Sequence, residues 1–241
     1  MRILDDLLST LDYGVAVKDI RLGPFWTAVQ TRSCGLASTP HDGDHHPGDT
    51  PVRDAGRILD KTPAELAQLA YSESTLEAAI GVAAVNSLLE IDERPCVNLN
   101  AADFLLENAP GKKVALVGHF PFIRSLREAA GELWVVEKNP RPGDVPESEA
   151  PDYIPYADLV AISGSTFVNH TIQGLLDLCG PKACVMVLGP TTPLSPVLFD
   201  YGIDVISGTK VIEPDTVFAH VSQGASFRQM RGVRLLTMRR Q

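Results

Sequence analysis

Five short apolar runs in the second half of the chain constrain the fold more than any other feature. They are Lys113-Val114-Ala115-Leu116-Val117, Leu133-Trp134-Val135-Val136, Asp158-Leu159-Val160-Ala161-Ile162, Ala183-Cys184-Val185-Met186-Val187-Leu188 and Ile203-Asp204-Val205-Ile206. A half-exposed strand alternates apolar and polar residues; a strand buried on both faces reads as an almost continuous apolar run, as these do. Helical patterns separate them, over residues 122–130, 168–178 and 194–199. Strands alternating with helices imply right-handed crossover units and a parallel sheet.

The first half reads differently. Ile3, Leu4, Leu7, Leu8 and Leu11 form one face of a short helix. Strand candidates follow over residues 15–22, 25–31 and 33–38, the first two joined by the turn pair Gly23-Pro24. Residues 39–54 carry loop chemistry. Thr62-Pro63-Ala64-Glu65 then opens a helix with an N-cap, a proline at the first helical position and a capping box. A second helix spans residues 74–90, with Leu76, Ile80, Ala83, Ala84, Ser87 and Leu88 inward, and its alanines and Gly81 imply close approach to a neighbour. The expected fold class is α/β: a small α+β unit over residues 1–98, followed by a Rossmann-like parallel-sheet domain over residues 105–241. Residues 139–155, rich in proline and without a period, read as a surface excursion between two strands.

Composition narrows the function classes. With 241 residues the chain is long enough for a substantial core. Acidic residues outnumber basic ones 30 to 21, a net charge of −9, which argues against nucleic acid and anionic membrane as partners. No apolar run approaches the ~18 residues of a membrane span. The start Met1-Arg2-Ile3-Leu4-Asp5-Asp6 lacks the basic and apolar regions of a signal peptide, so a cytoplasmic location is expected. Cys34, Cys96, Cys179 and Cys184 form no C-x-x-C pair and read as ordinary thiols.

Ligands of open parallel sheets sit at the carboxyl ends of the strands. The loop after the first apolar run, Gly118-His119-Phe120-Pro121, is no dinucleotide cradle: it has one glycine, and Pro121 has no N–H to donate. His119 is a candidate general acid or base, with a structural loop histidine as the alternative. Glu137 follows Gly118 by nineteen residues, near the spacing from which an acid binds ribose hydroxyls, although a surface ion pair explains it equally. Ser165, Thr166, Asn169 and Thr171 offer hydroxyl and amide groups after the third run, and Gly189, Pro190, Thr191 and Thr192 form a rigid loop after the fourth. His41, His45 and His46, with Asp42 and Asp44, are the most metal-like short stretch, suited to zinc, nickel or copper, but they show no scaffold to hold an ion. The arginines near the C-terminus, Arg228 to Arg240, read as a solvated strand edge.

The ordered set of these segments resembles one family across nearly the whole chain. Gly23-Pro24-Phe25-Trp26-Thr27-Ala28-Val29, Cys34-Gly35-Leu36-Ala37 and residues 77–86 resemble the N-terminal part of the DUF4213/DUF364 proteins. Val117-Gly118-His119-Phe120-Pro121, Val136-Glu137-Lys138, residues 165–171, residues 188–194 and residues 206–211 resemble the C-terminal part. The resemblance implies an enolase N-terminal-like domain joined to a Rossmann-like domain, with the site in the cleft between them and Trp26, Thr27 and Asn86 closing it. It also implies heavy-metal chelation. The histidine run at residues 41–46 departs from the family pattern and gains nothing from it.

Three functions follow as expectations. The first is a metal-handling protein, with a divalent transition metal as cofactor and His119, Glu137 and His170 as ligands, or with a metal–chelator complex in the cleft. Against it, heavy metals prefer thiolates, and no cysteine but Cys34 falls in a matched segment. The second is an enzyme for a small anionic or nucleotide-like metabolite. The third is a non-catalytic binding or scaffold protein. The expected partner is a small molecule or a metal; a homo-oligomer is left open.

Overall fold

The computed structural model describes residues 2–40 and 50–240. The amphipathic start forms α1 (Arg2–Ser9), which buries Ile3, Leu4, Leu7 and Leu8. A three-stranded antiparallel meander follows: β1 (Asp19–Leu22), β2 (Trp26–Gln30) and β3 (Cys34–Ser38). The capping box opens α2 (Pro63–Gln68) as the sequence predicts, with the Glu65 N–H donating to Thr62 Oγ1 and the Thr62 N–H donating to Glu65 Oε2. Ser74 caps α3 (Thr75–Leu88).

Helix α3 is buried on nearly every side: from Glu77 to Leu88 only Asn86 is partly exposed. An all-round apolar helix is a core helix, and this one lies between the small sheet and the second half of the chain. One continuous core holds Ala79, Ile80 and Ala83 of α3 together with Ile162, Phe167 and Ile172. Two glycines permit the packing. A Cβ on Gly81 would stand 1.9 Å from the Ala70 nitrogen, in the 3₁₀ turn Leu69–Tyr71, and a Cβ on Gly35 of β3 would stand 2.1 Å from the Ala83 carbonyl oxygen.

The second half begins with β4 (Cys96–Val97) and α4 (Ala101–Asn108). It continues through β5 (Lys113–Val117), α5 (Ile123–Ala129), β6 (Glu132–Glu137) and β7 (Val145–Pro146). Then come β8 (Leu159–Ser163), α6 (Ile172–Leu178), β9 (Cys184–Leu188) and β10 (Val205–Val211). The chain closes with α7 (Pro214–Ser222) and β11 (Val233–Arg239). The eight strands of this sheet run β4-β11-β10-β9-β8-β5-β6-β7. All pairings from β5 to β10 are parallel. Counted in chain order, these six strands lie 3-2-1-4-5-6, the order of doubly wound sheets that bind nucleotides. Alternate residues of the buried strands face two cores, Ala115, Val117 and Ile162 one way and Val114, Leu116 and Ala161 the other.

Three sequence readings change. The proline-rich excursion contains β7, the third parallel strand, and the 3₁₀ turns Glu147–Asp152 and Ile154–Tyr156; a strand of two residues has no period to detect. The helix pattern at residues 194–199 is the 3₁₀ turn Pro196–Tyr201. The C-terminal arginines are exposed as a solvated strand edge requires, but β11 is an edge only in part: it lies antiparallel to β10, and on its other side β4 covers Thr237 and Met238, which are buried. The sheet is therefore mixed, though mostly parallel. Among the described residues, no helix is long and apolar enough to cross a membrane.

An ion pair unforeseen in the sequence fastens the start of α3. Glu77, 2% exposed, accepts hydrogen bonds from the Arg53 backbone N–H (2.7 Å), from the Arg53 guanidinium (2.9 Å) and from the Ser72 hydroxyl (2.6 Å). The Arg53 guanidinium holds the Glu77 carboxyl down to about 2.

Gly81→Ala is expected to destabilise the protein by about 3 kcal/mol or more, because backbone rather than a flexible side chain fills the space. Gly174→Ala in α6, whose Cβ would meet nothing within 4 Å, is expected to add roughly 0.5–1 kcal/mol. Urea unfolding of both variants checks the contrast. Because the folded pKa of Glu77 lies below its unfolded value, its contribution is present above the ordinary carboxylate range and is lost as pH falls towards 2. Glu77→Gln should therefore narrow the difference in unfolding free energy between pH 6 and pH 3, measured by the same titration.

Candidate functional site

The parallel order reverses between β5 and β8: from β5 the chain crosses to β6 on one side, and from β8 to β9 on the other. Doubly wound sheets bind ligands at this switch point, outside the carboxyl ends of the strands. A cavity of about 250 Å³ lies there. Val117 and Ser163 end the two strands beneath it, and Glu137, Lys138 and Asn139 end β6 on one side. Ser165, Thr166, Asn169 and Thr171 come from the turn after β8. Ser38, Thr39 and Pro40, at the end of β3, bring the first half of the chain onto the cavity.

Gly118 turns the chain off β5 with φ +102°, a left-handed conformation in which a Cβ would stand 3.1 Å from the Ser163 Cβ. His119 follows and is held at both ring nitrogens. Its Nδ1 lies 3.1 Å from Glu137 Oε2, and its Nε2 lies 2.9 Å from Asp144 Oδ2. Both partners are acceptors, so the contacts are satisfied together when both nitrogens carry protons. The sequence reading named His119 and Glu137 as candidates and did not name Asp144, which sits in the proline-rich stretch; its one signal was the turn chemistry of Pro142-Gly143-Asp144. The opposite wall is organised within itself. The Ser163 and Ser165 hydroxyls are 2.9 Å apart, the Thr166 hydroxyl donates to the Ser163 carbonyl, and the Thr171 hydroxyl donates to Asn169 Oδ1.

Other predicted residues lie elsewhere. Thr191 and Thr192 are buried and line neither this cavity nor its neighbour across the sheet. Thr191 forms a joint between the two halves: its hydroxyl accepts from the Ser38 N–H (2.9 Å) and its carbonyl accepts from Asn86 Nδ2 (3.0 Å), which also donates to the Leu36 carbonyl. Trp26 meets Phe227 at 5.4 Å with the rings tilted by 56°, and packs in the core formed with α7. Phe120, Gly189 and Pro190 line a second cavity on the other face of the sheet. His170, with φ +62°, directs Nε2 to the Ala70 carbonyl at 2.7 Å, a tie between the halves. His41, His45 and His46 lie outside the described residues.

Among the described residues, the donor set does not fit a heavy-metal cage. The thiolate is the metal-binding form of cysteine, and burial pushes Cys34 up to about 12, Cys179 up to about 11, and Cys96 and Cys184 up as well. Among the described residues no three His, Cys, Asp or Glu side chains are grouped to hold an ion. The two nitrogens of His119 point away from each other, so one ion cannot take His119, Glu137 and Asp144 together.

Fold and cleft together define a doubly wound α/β protein with a small antiparallel sheet set over its switch point. Family models agree with that class and name it. Residues 100–239 match the DUF364 family and residues 4–89 match the DUF4213 family, both described as "Putative heavy-metal chelation". The chain belongs to the DUF364/DUF4213 family. It is 30% identical over 181 residues to an uncharacterized protein of Methanocaldococcus jannaschii, covering 72% of this chain and 70% of that protein. A DUF364-family protein of unknown function from Desulfitobacterium hafniense shares the fold with a TM-score of 0.85, 24% identity and coverage of 99% of this chain and 98% of that one. Another, from Pyrococcus horikoshii, has a TM-score of 0.82, 20% identity and the same coverage.

Asn86→Ala removes both donations that join α3 to β3 and to the loop after β9. It is expected to cost about 1–3 kcal/mol, the range for stranding a buried acceptor, and to lower the melting temperature without altering the far-UV dichroism spectrum.

Proposed function

We propose that the protein binds a small, polar, hydroxyl-bearing metabolite of nucleoside size or less in the switch-point cleft, with Glu137 recognising its hydroxyls. The position of Glu137 carries this reading. It ends the second parallel strand beside the Gly118 turn, the place from which an acid holds a ribose in Rossmann-like sheets. The facing wall of serine, threonine and asparagine side chains supports it, since such groups pair with a polar ligand rather than an apolar one. The size supports it too: about 250 Å³ is below the ~300–1,000 Å³ of pockets for drug-sized ligands. A dinucleotide is disfavoured, because the loop has no glycine-rich cradle and Pro121 offers no N–H. The His119 ring, held between Glu137 and Asp144, orients the Glu137 carboxylate that lines the cleft.

A second reading, metal handling, draws on the description of the family and on the carboxylates around His119. An ion taking one His119 nitrogen would displace a carboxylate already bonded there. This favours a metal that arrives as a complex with a small chelator, whose own donors complete the shell, over chelation by the chain alone.

Thermal-shift screening of ribonucleosides, sugars and sugar acids against the wild type and Glu137→Gln tests the first reading. The expected outcome is a concentration-dependent rise in melting temperature for one hydroxylated class, lost in Glu137→Gln. Elemental analysis of protein purified without chelators, beside His119→Ala and the triple change His41→Ala/His45→Ala/His46→Ala, tests the second. Near-stoichiometric metal lost in His119→Ala but kept in the triple variant would replace the first reading by direct chelation at the cleft.

A further inference from the structure

The second cavity, across the sheet, has a chemistry of its own. Its volume is about 420 Å³, and apolar side chains dominate its walls. Leu188 and Leu235 form part of the floor, and three phenylalanines supply flat faces. Phe120 and Phe122 stack at 5.2 Å with an interplanar angle of 22°, and Phe227 is braced from behind by Trp26. Gly189, at φ +109°, passes the Phe120 ring with no side chain between them; a Cβ there would stand 3.9 Å from it.

The polar residues on the wall are Asn100, Ser125, Ser207, Thr209 and Arg228. Among the described residues Arg228 is the only charged one on the wall, and it is exposed. Its guanidinium makes no ion pair among the described residues, in a chain of net charge −9. The N-terminal turn of the eight-residue α4 also lines the cavity, through Asn100, Ala101 and Ala102, and adds positive potential. Asp103 in the same turn is exposed and does not line it. The Thr209 hydroxyl is buried, and among the described residues it has no hydrogen-bond partner.

We propose that this cavity is a binding site for a planar aromatic or heteroaromatic anion, its ring laid against the phenylalanines and its acidic group at Arg228. Apolar walls with flat rings select a ring over an aliphatic chain by stacking. A lone unpaired guanidinium beside a helix N-terminus selects negative charge. The site is independent of the switch-point cleft, because the two cavities lie on opposite faces of the sheet and share no wall residue.

Isothermal titration with 1-naphthoate, and with neutral 1-naphthalenemethanol as its uncharged counterpart, tests this. The expected result is saturable binding of 1-naphthoate at one site, at least tenfold tighter than the alcohol. Arg228→Gln should weaken the acid tenfold or more and leave the alcohol unchanged. Ala102→Trp, which fills the cavity from α4, should abolish both; Ser125→Trp on α5 does the same if the first variant fails to fold. Glu137→Gln should leave the titration unaltered, which keeps the outcome separate from that of the first cavity. No saturation at millimolar acid, equal affinity for acid and alcohol, or binding that survives the filled cavity would overturn the proposal.

Discussion

One helix buried on nearly every side organises the molecule. Helix α3 is apolar all round because it has no solvent face to keep: β3 packs on one side, the 3₁₀ turn at Leu69–Tyr71 on another, and the switch-point side of the large sheet beyond. Backbone meets backbone at Gly81 and Gly35, so the packing cannot loosen locally; protein interiors at this density answer a misplaced methyl group with a shift of whole elements. The small sheet sits over the strand ends because α3 carries it there. Asn86, the one residue of its buried stretch that is partly exposed, spends its amide on the joint with Thr191. The wall that Ser38 to Pro40 contribute to the cleft is a consequence of this packing.

Around the cleft the physical chemistry favours recognition over capture. The carboxylates at His119 face both ring nitrogens, the hydroxyls opposite are bonded among themselves, and the thiols, buried at Cys34 and half-buried at Cys96, Cys179 and Cys184, form no pair. Each group is held in place, as a site for a shaped ligand requires. None is arranged to converge on a bare ion. A family description that speaks of heavy-metal chelation and a donor set of this kind are reconciled most simply if the ligand, rather than the chain, carries the metal-binding atoms.

The parallel strands were legible because burial on both faces leaves a continuous apolar run, and the capped helices were legible because capping is local chemistry. The position of Glu137 at the end of β6 was legible from its spacing along a crossover unit. Asp144 was not: its place beside His119 depends on β7, a strand of two residues whose pairing no pattern encodes. The exposed arginines of β11 marked an edge strand, but the two-residue partner β4, which covers Thr237 and Met238, left no pattern to read.

By itself, then, the sequence determined the class of fold, the membership of the family and the loops at the strand ends, all of which rest on periods and motifs within a few tens of residues. The tertiary structure decided which of those loops share a cavity. Ser165 and Asn169 face Glu137, Phe120 and Gly189 turn to the opposite face, and Thr191, Trp26 and His170 serve packing and joints. The reason is geometric. The loops emerge from both faces of one twisted sheet, and the face each side chain meets is set by strand order and by the helix packed beneath the small sheet, neither of which is written in any local stretch of the chain.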